Sequence, residues 1–384
     1  MQQRRIYLDN AATTLPKPED VYAAHSHFLR EAGNPGRGAH QFAMQAARAI
    51  HNSRVLIADL LGAKHPERLI FTPGCTYSLN MVIKGFKLEQ GDSVVVSAIE
   101  HNAVMRPLTQ LQNQIGLKVH TLPYKPWSVV DLHDLTSALL REKPKLCIIS
   151  EASNVTGEIV DLRLVSTICQ ANRVPLVVDA AQTAGRLPFS ADALGVAAWC
   201  ASGHKGLMGP PGVGLLYASP DLKLEPIIAG GTGSHSEDLQ MPEELPDRYE
   251  VGTPNGPAIA GLGAAAHWIG QQGGFAVLTE KEQQLLKRFL DWAGTRPWLE
   301  ILGAFDAKRV ATVSFRLPNV APDMVASLLE SDHGIAARSG LHCAQAAHLA
   351  LGTLDTGAVR VSFGYFNKPE DVDALCTALD RIRG

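Results

Sequence analysis

Short runs of consecutive apolar residues recur through the middle of the chain, and stretches with helical spacing of apolar positions separate some of them. The runs that predict strands are 69–71, 93–97, 145–150 and 175–179. Helical patterns lie at 132–141 and 164–172. Uninterrupted apolar strands alternating with helices are typical of a parallel sheet that is covered on both faces. We therefore predict an α/β fold and expect its chemistry at the carboxyl ends of the strands.

The pattern changes after residue 230. Residues 230–256 are rich in Gly, Pro, Glu and Ser and predict a long functional loop, because structureless loops of this length are uncommon in compact domains. A helical pattern over 258–292, broken at Gly273-Gly274, precedes strand patterns at 311–315 and 359–363. We predict a large domain over residues 15–255 and a smaller α+β domain formed by residues 1–14 and 256–384.

Composition narrows the class of protein. The chain has 384 residues, 46% hydrophobic and 19% charged, which is ordinary for a globular protein with a sizeable core. The formal net charge of -3 gives no general attraction to nucleic acid or to anionic membranes. No apolar stretch approaches the roughly 18 residues of a membrane helix, and the polar start is unlike a secretory signal. We expect a cytoplasmic protein without nucleic-acid or membrane partners.

None of the six cysteines has C-x-x-C spacing, so the sequence suggests neither a zinc site nor a dithiol motif, and we expect no metal. Most of them fall within strand or helix patterns, where an inert, buried thiol is the default interpretation. Cys343 differs, because it follows Arg338 and His342 in a Gly-containing segment. Basic neighbours favour the reactive thiolate form of such a cysteine.

Lys205 lies in the segment Ser202-Gly203-His204-Lys205-Gly206, directly after an apolar strand. A lysine flanked by glycines in such a turn is a candidate for Schiff-base formation, and the alternative is a solvated surface lysine. Asp179 ends the strand at 175–179. Its carboxylate could pair with a protonated pyridine nitrogen, or it could simply cap the next helix.

Two further segments follow predicted strands. His101, in Glu100-His101-Asn102, could stack on a flat cofactor or relay protons, although a surface or core histidine is the commoner case. In the segment 72–76, a glycine is followed by Cys75 and Thr76 at a predicted helix start. This arrangement suits a phosphate bound by backbone N–H groups, or it is a plain turn and cap.

Taken together, these segments resemble those of a known family. The run Y-L-D-N-A-A-T-T at residues 7–14 is followed in order by E-H-N, V-D-x-A-Q, S-G-H-K and R-x-G-x-H-C-A. The set is similar to the fold-type I, class V aminotransferase-like enzymes that use pyridoxal 5'-phosphate (PLP). The resemblance covers nearly the whole chain and is closest to the cysteine desulfurase and selenocysteine lyase group. Around Cys343 it is closer to the group II, SUF-type-like branch.

The resemblance implies a role for individual residues. Lys205 would form the Schiff base with PLP and later move the substrate's α-proton, and His101 would stack on the ring and assist. Asp179 would pair with the pyridinium nitrogen and Gln182 with the phenolic oxygen. The implied phosphate ligands are Cys75 (by its backbone), Thr76, Ser202 and His204.

The remaining implied roles concern the substrate and the assembly. Asn154 and Arg360 look like binders of the substrate carboxylate, and Arg338 would set the electrostatics of the Cys343 segment or position the substrate. Thr253 is similar to a residue that reaches the phosphate of a neighbouring subunit, which implies a homodimer. Cys343 would accept the substrate's sulfur as a persulfide.

Four functions follow from this set. The first is a cysteine desulfurase that converts L-cysteine to L-alanine, forms a persulfide on Cys343 and serves a sulfur-acceptor protein. The second is a selenocysteine lyase acting on L-selenocysteine. The third is an aminotransferase or a different C–S lyase of the same fold. The fourth is a scaffold without PLP, against which Lys205, Asp179 and His101 argue. The run 344–348 lacks the proline common in the family, which leaves substrate and acceptor open.

Overall fold

The computed structural model describes residues 5–36, 38–234 and 237–383. Its strands are β1 (Ile6–Tyr7), β2 (Leu69–Thr72), β3 (Ser93–Val96), β4 (Lys118–Thr121), β5 (Leu146–Ser150), β6 (Leu176–Asp179), β7 (Ala198–Ser202), β8 (Gly214–Ala218), β9 (Glu300–Ile301), β10 (Thr312–Arg316), β11 (Ile335–Ala336), β12 (Arg338–Gly340) and β13 (Ala358–Ser362). Its α-helices are α1 (Glu19–Glu31), α2 (Gln41–Leu60), α3 (Cys75–Gly85), α4 (Asn102–Ile115), α5 (Leu132–Glu142), α6 (Leu162–Ala171), α7 (Ala191–Leu194), α8 (Gly256–Gln271), α9 (Phe275–Ala293), α10 (Pro322–His333), α11 (Gln345–Ala350) and α12 (Pro369–Arg383). A short 3-10 helix, Pro66–Arg68, precedes β2.

The large sheet has the strand order β2-β8-β7-β6-β5-β3-β4. Neighbours from β4 to β7 pair in parallel, and β8 pairs antiparallel to both β7 and β2. Strand β2 therefore runs in the same direction as the parallel set. As a result, the carboxyl ends of β2, β3, β5, β6 and β7 meet at one edge of the sheet.

Alternate residues of the large sheet pack into two separate cores. Val95, Cys147 and Val178 belong to one apolar cluster, whereas Val94 and Val177 belong to another. The first cluster includes residues of α1, α2, α5, α6 and α8, and the second includes residues of α3 and α4. Because both faces are covered, β3 and β5 to β8 are buried along their whole length, which explains their uninterrupted apolar runs.

A smaller antiparallel sheet has the order β12-β13-β10-β9, and β1 pairs in parallel with β11. Its core is a third cluster that includes Phe289 of α9, Phe315, Phe363 and Leu375 of α12. Strands β12 and β13 place Arg338 directly opposite Arg360. This sheet therefore carries the candidate groups from the C-terminal part of the chain.

The α/β fold with a mostly parallel sheet and a smaller α+β unit is confirmed. The break at Gly273-Gly274 separates α8 from α9 as expected. Helix α8 packs against α1 and α2, although the predicted domain boundary falls just before it, and the division at residue 255 stays a prediction. Among the described residues, no helix is long and apolar enough to cross a bilayer.

Candidate active site

Predicted site residues from five strand ends line one small cavity of about 50 Å³. Those that line it are Cys75, Thr76, His101, Asn154, Asp179, Gln182, Ser202 and Lys205. A larger cavity of about 530 Å³ shares Cys75, Thr76, Ser202 and Lys205 with it and adds His204. These residues are far apart in sequence and meet because the carboxyl ends of their strands share one edge of the sheet.

The N-terminus of α3 borders both cavities. Gly74 is the N-cap residue and contributes no side-chain hydrogen bond, so no capping side chain covers the first-turn N–H groups of Cys75 and Thr76. Strand β8 starts beside it: a Cβ on Gly214 would lie 2.5 Å from the Gly74 backbone and 2.8 Å from the Cys75 nitrogen. A helix N-terminus with free donors and positive partial charge favours an anion.

Lys205 and Asp179 form the electrostatic centre of the site. Burial lowers the pKa of Lys205 and outweighs the Asp179 carboxylate, which acts to raise it. The lowered pKa favours the neutral, nucleophilic amine. Asp179 Oδ1 accepts from the Ala181 N–H at 2.9 Å and from the Cys75 thiol at 3.5 Å. The carboxylate is thus fixed at the end of β6 beside a lysine suited to covalent chemistry.

Two buried polar atoms of the site lack partners among the described residues. Gln182 donates from Nε2 to the Ala11 carbonyl at 3.1 Å, but its Oε1 has no hydrogen-bond partner. His204 Nδ1 is also without one, and burial lowers the pKa of His204 to about 4, so the ring is neutral near pH 7. Orphaned polar atoms beside a cavity indicate that the site is built to hold a polar ligand.

His101 is the N-cap residue of α4, and its Nδ1 accepts from the Ala103 N–H at 3.0 Å. In the neutral ring the proton therefore lies on Nε2. Burial lowers the pKa of His101, so this neutral tautomer is favoured. A neutral imidazole with a fixed donor borders the cavity that Lys205 also lines.

Asn154, Arg360 and Arg338 lie in one hydrogen-bonded network. Asn154 donates from its side chain to the His342 carbonyl at 2.7 Å and accepts at its backbone oxygen from Arg360 at 3.1 Å. Arg360 and Arg338 both bind Asp9, each at 2.8 Å. Arg360 is buried and its Nε has no partner among the described residues, whereas Arg338 is half-exposed. Neither arginine lines the cavities around Lys205.

The segment that carries Cys343 reaches this network from the small sheet. The Cys343 carbonyl accepts from the Asn102 N–H at 2.8 Å, directly beside His101. Cys343 is exposed and the other five cysteines are buried. Burial agrees with the strand and helix patterns around Cys147, Cys169, Cys200 and Cys376. The basic neighbours that the sequence suggested for its thiol have other partners, because Arg338 binds Asp9 and burial lowers the pKa of His342 to about 3.

Thr253 is exposed and lies apart from the other predicted phosphate ligands. It lines a separate cavity of about 1260 Å³, together with Asn34, His51 and Arg54. A residue in this position is available to another molecule rather than to the Lys205 cavities of its own chain. The contribution of Thr253 to a neighbouring subunit stays a prediction.

Sequence reasoning missed three acidic residues that support the site. Asp9 belongs to the Y-L-D-N-A-A-T-T run, and its buried carboxylate binds two arginines and so fixes both guanidinium groups. The Glu100 carboxylate accepts hydrogen bonds from the Ser97 hydroxyl and from both the backbone N–H and the hydroxyl of Ser150. The Glu151 carboxylate accepts one from the Thr183 hydroxyl. The signal for both glutamates was their position beside predicted strand ends.

The same N-terminal run covers the turn that contains Lys205. Thr13 and Thr14 donate from their hydroxyls to the His204 carbonyl at 3.1 and 3.2 Å, and the Thr14 hydroxyl also reaches the Lys205 carbonyl at 3.2 Å. These bonds join residues almost 200 positions apart. No local pattern could have indicated them.

The site residues fit the cofactor that the sequence resemblance implies. PLP needs an amine, an acidic partner for its ring nitrogen and a phosphate cradle, and the cavities offer Lys205, Asp179 and the α3 N-terminus. The orphaned atoms of Gln182 and His204 lie among the same residues. The fold is α/β with a mostly parallel sheet, and a lysine, a strand-end carboxylate and a helix N-terminus border cavities at one edge of that sheet.

Comparison with known proteins identifies the family. The chain belongs to the class-V aminotransferase family, whose profile matches residues 6–375. It is 33% identical to the cysteine desulfurase CsdA of Escherichia coli, over 99% of this chain and 94% of that protein. It is 32% identical to a probable cysteine desulfurase of Methanothermobacter thermautotrophicus, over 99% and 95%. The apo cysteine desulfurase of Thermococcus onnurineus superposes with a TM-score of 0.92, at 32% identity, covering 98% of this chain and 94% of that one.

Proposed function

We propose that this protein is a PLP-dependent cysteine desulfurase that releases L-alanine from L-cysteine and keeps the sulfur as a persulfide on Cys343. The observation that carries the proposal is the hydrogen bond from the Asn102 N–H to the Cys343 carbonyl. It brings the segment with the exposed thiol against the residue that follows His101, which lines the Lys205 cavity. The relatives named as cysteine desulfurases support the choice of substrate.

The residues around Lys205 would bind and orient the cofactor. The first turn of α3, with Ser202 and His204, would hold its phosphate, and Asp179 would pair with its ring nitrogen. When bound, PLP spreads into its ring the negative charge that forms at the substrate's α-carbon. Lys205 would hold the cofactor in the resting enzyme. Once the substrate's amine has displaced it, the free Lys205 amine would take the α-proton.

Cys343 would then accept the substrate's sulfur. Its thiolate attacks the substrate's sulfur, an S–S bond forms, and the substrate's Cβ–S bond breaks with its electron pair left on carbon. Protonation of that carbon leads to alanine, and Cys343 retains the persulfide. Because the thiol is exposed, the persulfide would be open to a sulfur-acceptor protein. The buried guanidinium of Arg360 would hold the substrate's carboxylate through the Nε that has no partner among the described residues.

The assembly that we propose is a homodimer. Thr253 is exposed beside a cavity of about 1260 Å³ that is separate from the Lys205 cavities. A second copy of the chain would bring its own phosphate-binding residues to this surface. Sedimentation of the purified protein tests the proposal, which fails if the protein is monomeric at concentrations where it is active.

The function is tested by product analysis with L-cysteine and with L-selenocysteine. We expect the wild type to form alanine and a persulfide on the Cys343 peptide. Cys343→Ser should lose the persulfide and form alanine from cysteine at least about 100-fold more slowly, because the nucleophile is gone. Its bound-cofactor absorption should persist, since Lys205 is intact. Cys376→Ala, at a buried cysteine of the small-domain core, is the matched control and should behave as wild type.

Two outcomes would contradict the proposal. If Cys343→Ser desulfurated cysteine at the wild-type rate, Cys343 would not be the sulfur acceptor. If cysteine gave no alanine while selenocysteine did, the selenocysteine lyase alternative would replace the desulfurase.

A further inference from the structure

The backbone around Cys343 is in an unfavourable conformation. His342 and Cys343 are consecutive non-glycine residues with φ of +51° and +55°. The left-handed region disfavours residues with a Cβ, so two in succession need support from their surroundings. Asn154 and Asn102 bind the carbonyls of these two residues from the large-domain side.

The side chain of His342 receives a second support from within its own unit. His342 Nδ1 lies 3.3 Å from His348 Nε2, and His348 Nδ1 lies 2.8 Å from the Thr353 hydroxyl. His342 Nε2 faces the Arg338 carbonyl at 3.4 Å. The three side chains that form this chain of hydrogen bonds, those of His342, His348 and Thr353, are buried. The two imidazole rings lie 24° from parallel with centroids 5.6 Å apart.

The Arg338 carbonyl fixes the direction of every bond in the chain. A carbonyl only accepts, so His342 Nε2 carries the proton and, in the neutral ring, Nδ1 accepts. His348 must then donate from Nε2, and its Nδ1 accepts from the Thr353 hydroxyl. Burial lowers the pKa of both histidines, which agrees with two neutral rings.

We propose that the Thr353–His348–His342 chain positions Cys343 for sulfur transfer. By holding the His342 ring, it keeps the strained backbone of His342 and Cys343 in the one conformation whose carbonyls meet Asn154 and Asn102. His348 and Thr353 are positioning residues, because they act on the substrate only through the Cys343 segment. The inference rests on the proposed function of Cys343.

The geometry assigns this chain to the sulfur-transfer step and not to the earlier step. His348 and Thr353 line neither of the cavities around Lys205. Loss of the chain should therefore leave cofactor binding and removal of the α-proton unchanged. Only the alignment of the thiol with the substrate's sulfur should suffer.

Thr353→Val and Thr353→Ser form a matched pair, since valine removes the hydroxyl at constant shape and serine keeps it. For Thr353→Val we expect at least a tenfold lower kcat for persulfide formation from L-cysteine, with KM within twofold of wild type. Amide hydrogen exchange in a peptide covering residues 341–348 should be at least tenfold faster, also in protein without cofactor. Exchange of the substrate's α-proton in deuterium oxide should stay at the wild-type rate. Thr353→Ser should match wild type in every measurement.

His348 provides a second pair in case Thr353→Val does not fold. A glutamine amide can supply the donor of His348 Nε2, whereas leucine supplies none. His348→Gln should therefore retain more of the persulfide rate than His348→Leu. The inference is overturned if His348→Leu and Thr353→Val form persulfide at the wild-type rate, or if they slow α-proton exchange and persulfide formation equally. If instead the wild type formed no persulfide on Cys343, the proposed function itself would fail.

Discussion

The turn around Lys205 follows a strand that is buried along its whole length, whereas Cys343 lies between β12 and α11 and is itself exposed. The groups near Lys205 are positioned by strand ends of a single sheet. The Cys343 backbone is left-handed at two consecutive residues and depends on hydrogen bonds from the other unit. Cofactor chemistry needs a fixed, water-poor setting, and delivery of sulfur to another protein needs an accessible thiol.

This difference predicts how each region responds to substitution. A change near Lys205 should affect every step, because binding of the cofactor and proton transfer use the same few groups. A change near Cys343 should affect sulfur transfer alone. The carboxylate of Asp9 lies between the two regions and should affect both stability and substrate binding.

The largest effect is expected for Lys205→Ala, which removes the Schiff base and the proton acceptor together. Alanine production from cysteine should fall at least about 1000-fold, which is in the middle of the range for a general base. Exchange of the α-proton should fall equally, in contrast to the Cys343→Ser variant. Product analysis measures the alanine, and deuterium incorporation in deuterium oxide measures exchange of the α-proton. Mass spectrometry of borohydride-reduced protein checks for the Schiff base, and Lys223→Ala, at an exposed lysine, is the control. If the Lys205→Ala variant still exchanged the substrate's α-proton at the wild-type rate, the proposed difference between the two regions would be wrong.

A smaller effect is expected for Asp9→Asn. Arg338 and Arg360 are directly opposite on β12 and β13, where two like charges repel, and the Asp9 carboxylate offsets this repulsion by binding both guanidinium groups. Leaving the buried Arg360 unpaired should lower the free energy of unfolding by about 3 kcal/mol. The KM for cysteine should rise, since the guanidinium loses its orientation. Urea denaturation and steady-state kinetics measure the two effects.

Asp373→Asn is the matched control for this prediction. Asp373 pairs with Arg288 on the surface, where both side chains are half-exposed. Such a pair contributes little, so its loss should barely change stability. If Asp9→Asn and Asp373→Asn lowered the free energy of unfolding equally, Asp9 would not be a structural link between the two arginines.

Much of the Lys205 region could be predicted from sequence, because local patterns carry it. Apolar runs mark the strands, and the residue types that follow them indicate the chemistry of the shared edge. Lys205, Asp179 and His101 were found in this way. Their meeting around one cavity follows from the parallel arrangement alone.

The Cys343 region was much less predictable. Arg338 binds Asp9, which lies more than 300 residues away in the sequence, and His342 binds His348. Nearness in sequence predicts Arg338 and His342 as partners of the thiol, but Arg338 pairs with Asp9 and His342 is buried with a lowered pKa. Long-range polar contacts leave no periodic signal in a single sequence.

The smallest effect concerns the buried glutamates at the strand ends of the Lys205 region. Burial raises the pKa of Glu100 to about 7, above its ordinary value of 4.5, despite hydrogen bonds from Ser97 and Ser150 that favour the anion. The folded protein therefore binds more protons than the unfolded chain between about pH 4.5 and pH 7. The contribution of Glu100 to stability is fully present below this window and is lost as the pH rises through it.

Glu100→Gln removes this titration and should give a flatter dependence of stability on pH. The stability of wild type relative to Glu100→Gln should fall by about 2.5 kcal/mol from pH 4.5 to pH 7, which is most of the total effect at about 1.4 kcal/mol for each unit of pKa displacement. Urea denaturation of both proteins across this range measures the difference, in which the opposite trends of buried histidines cancel. Glu151→Gln should show the same trend, because burial also raises the pKa of Glu151 to about 7. Parallel curves for wild type and both variants would mean that these carboxylates stay ionised. Alkylation of the exposed Cys343 should be equally fast in all three proteins, since the side-chain hydrogen bonds of the two glutamates go to Ser97, Ser150 and Thr183 and not to the Cys343 segment.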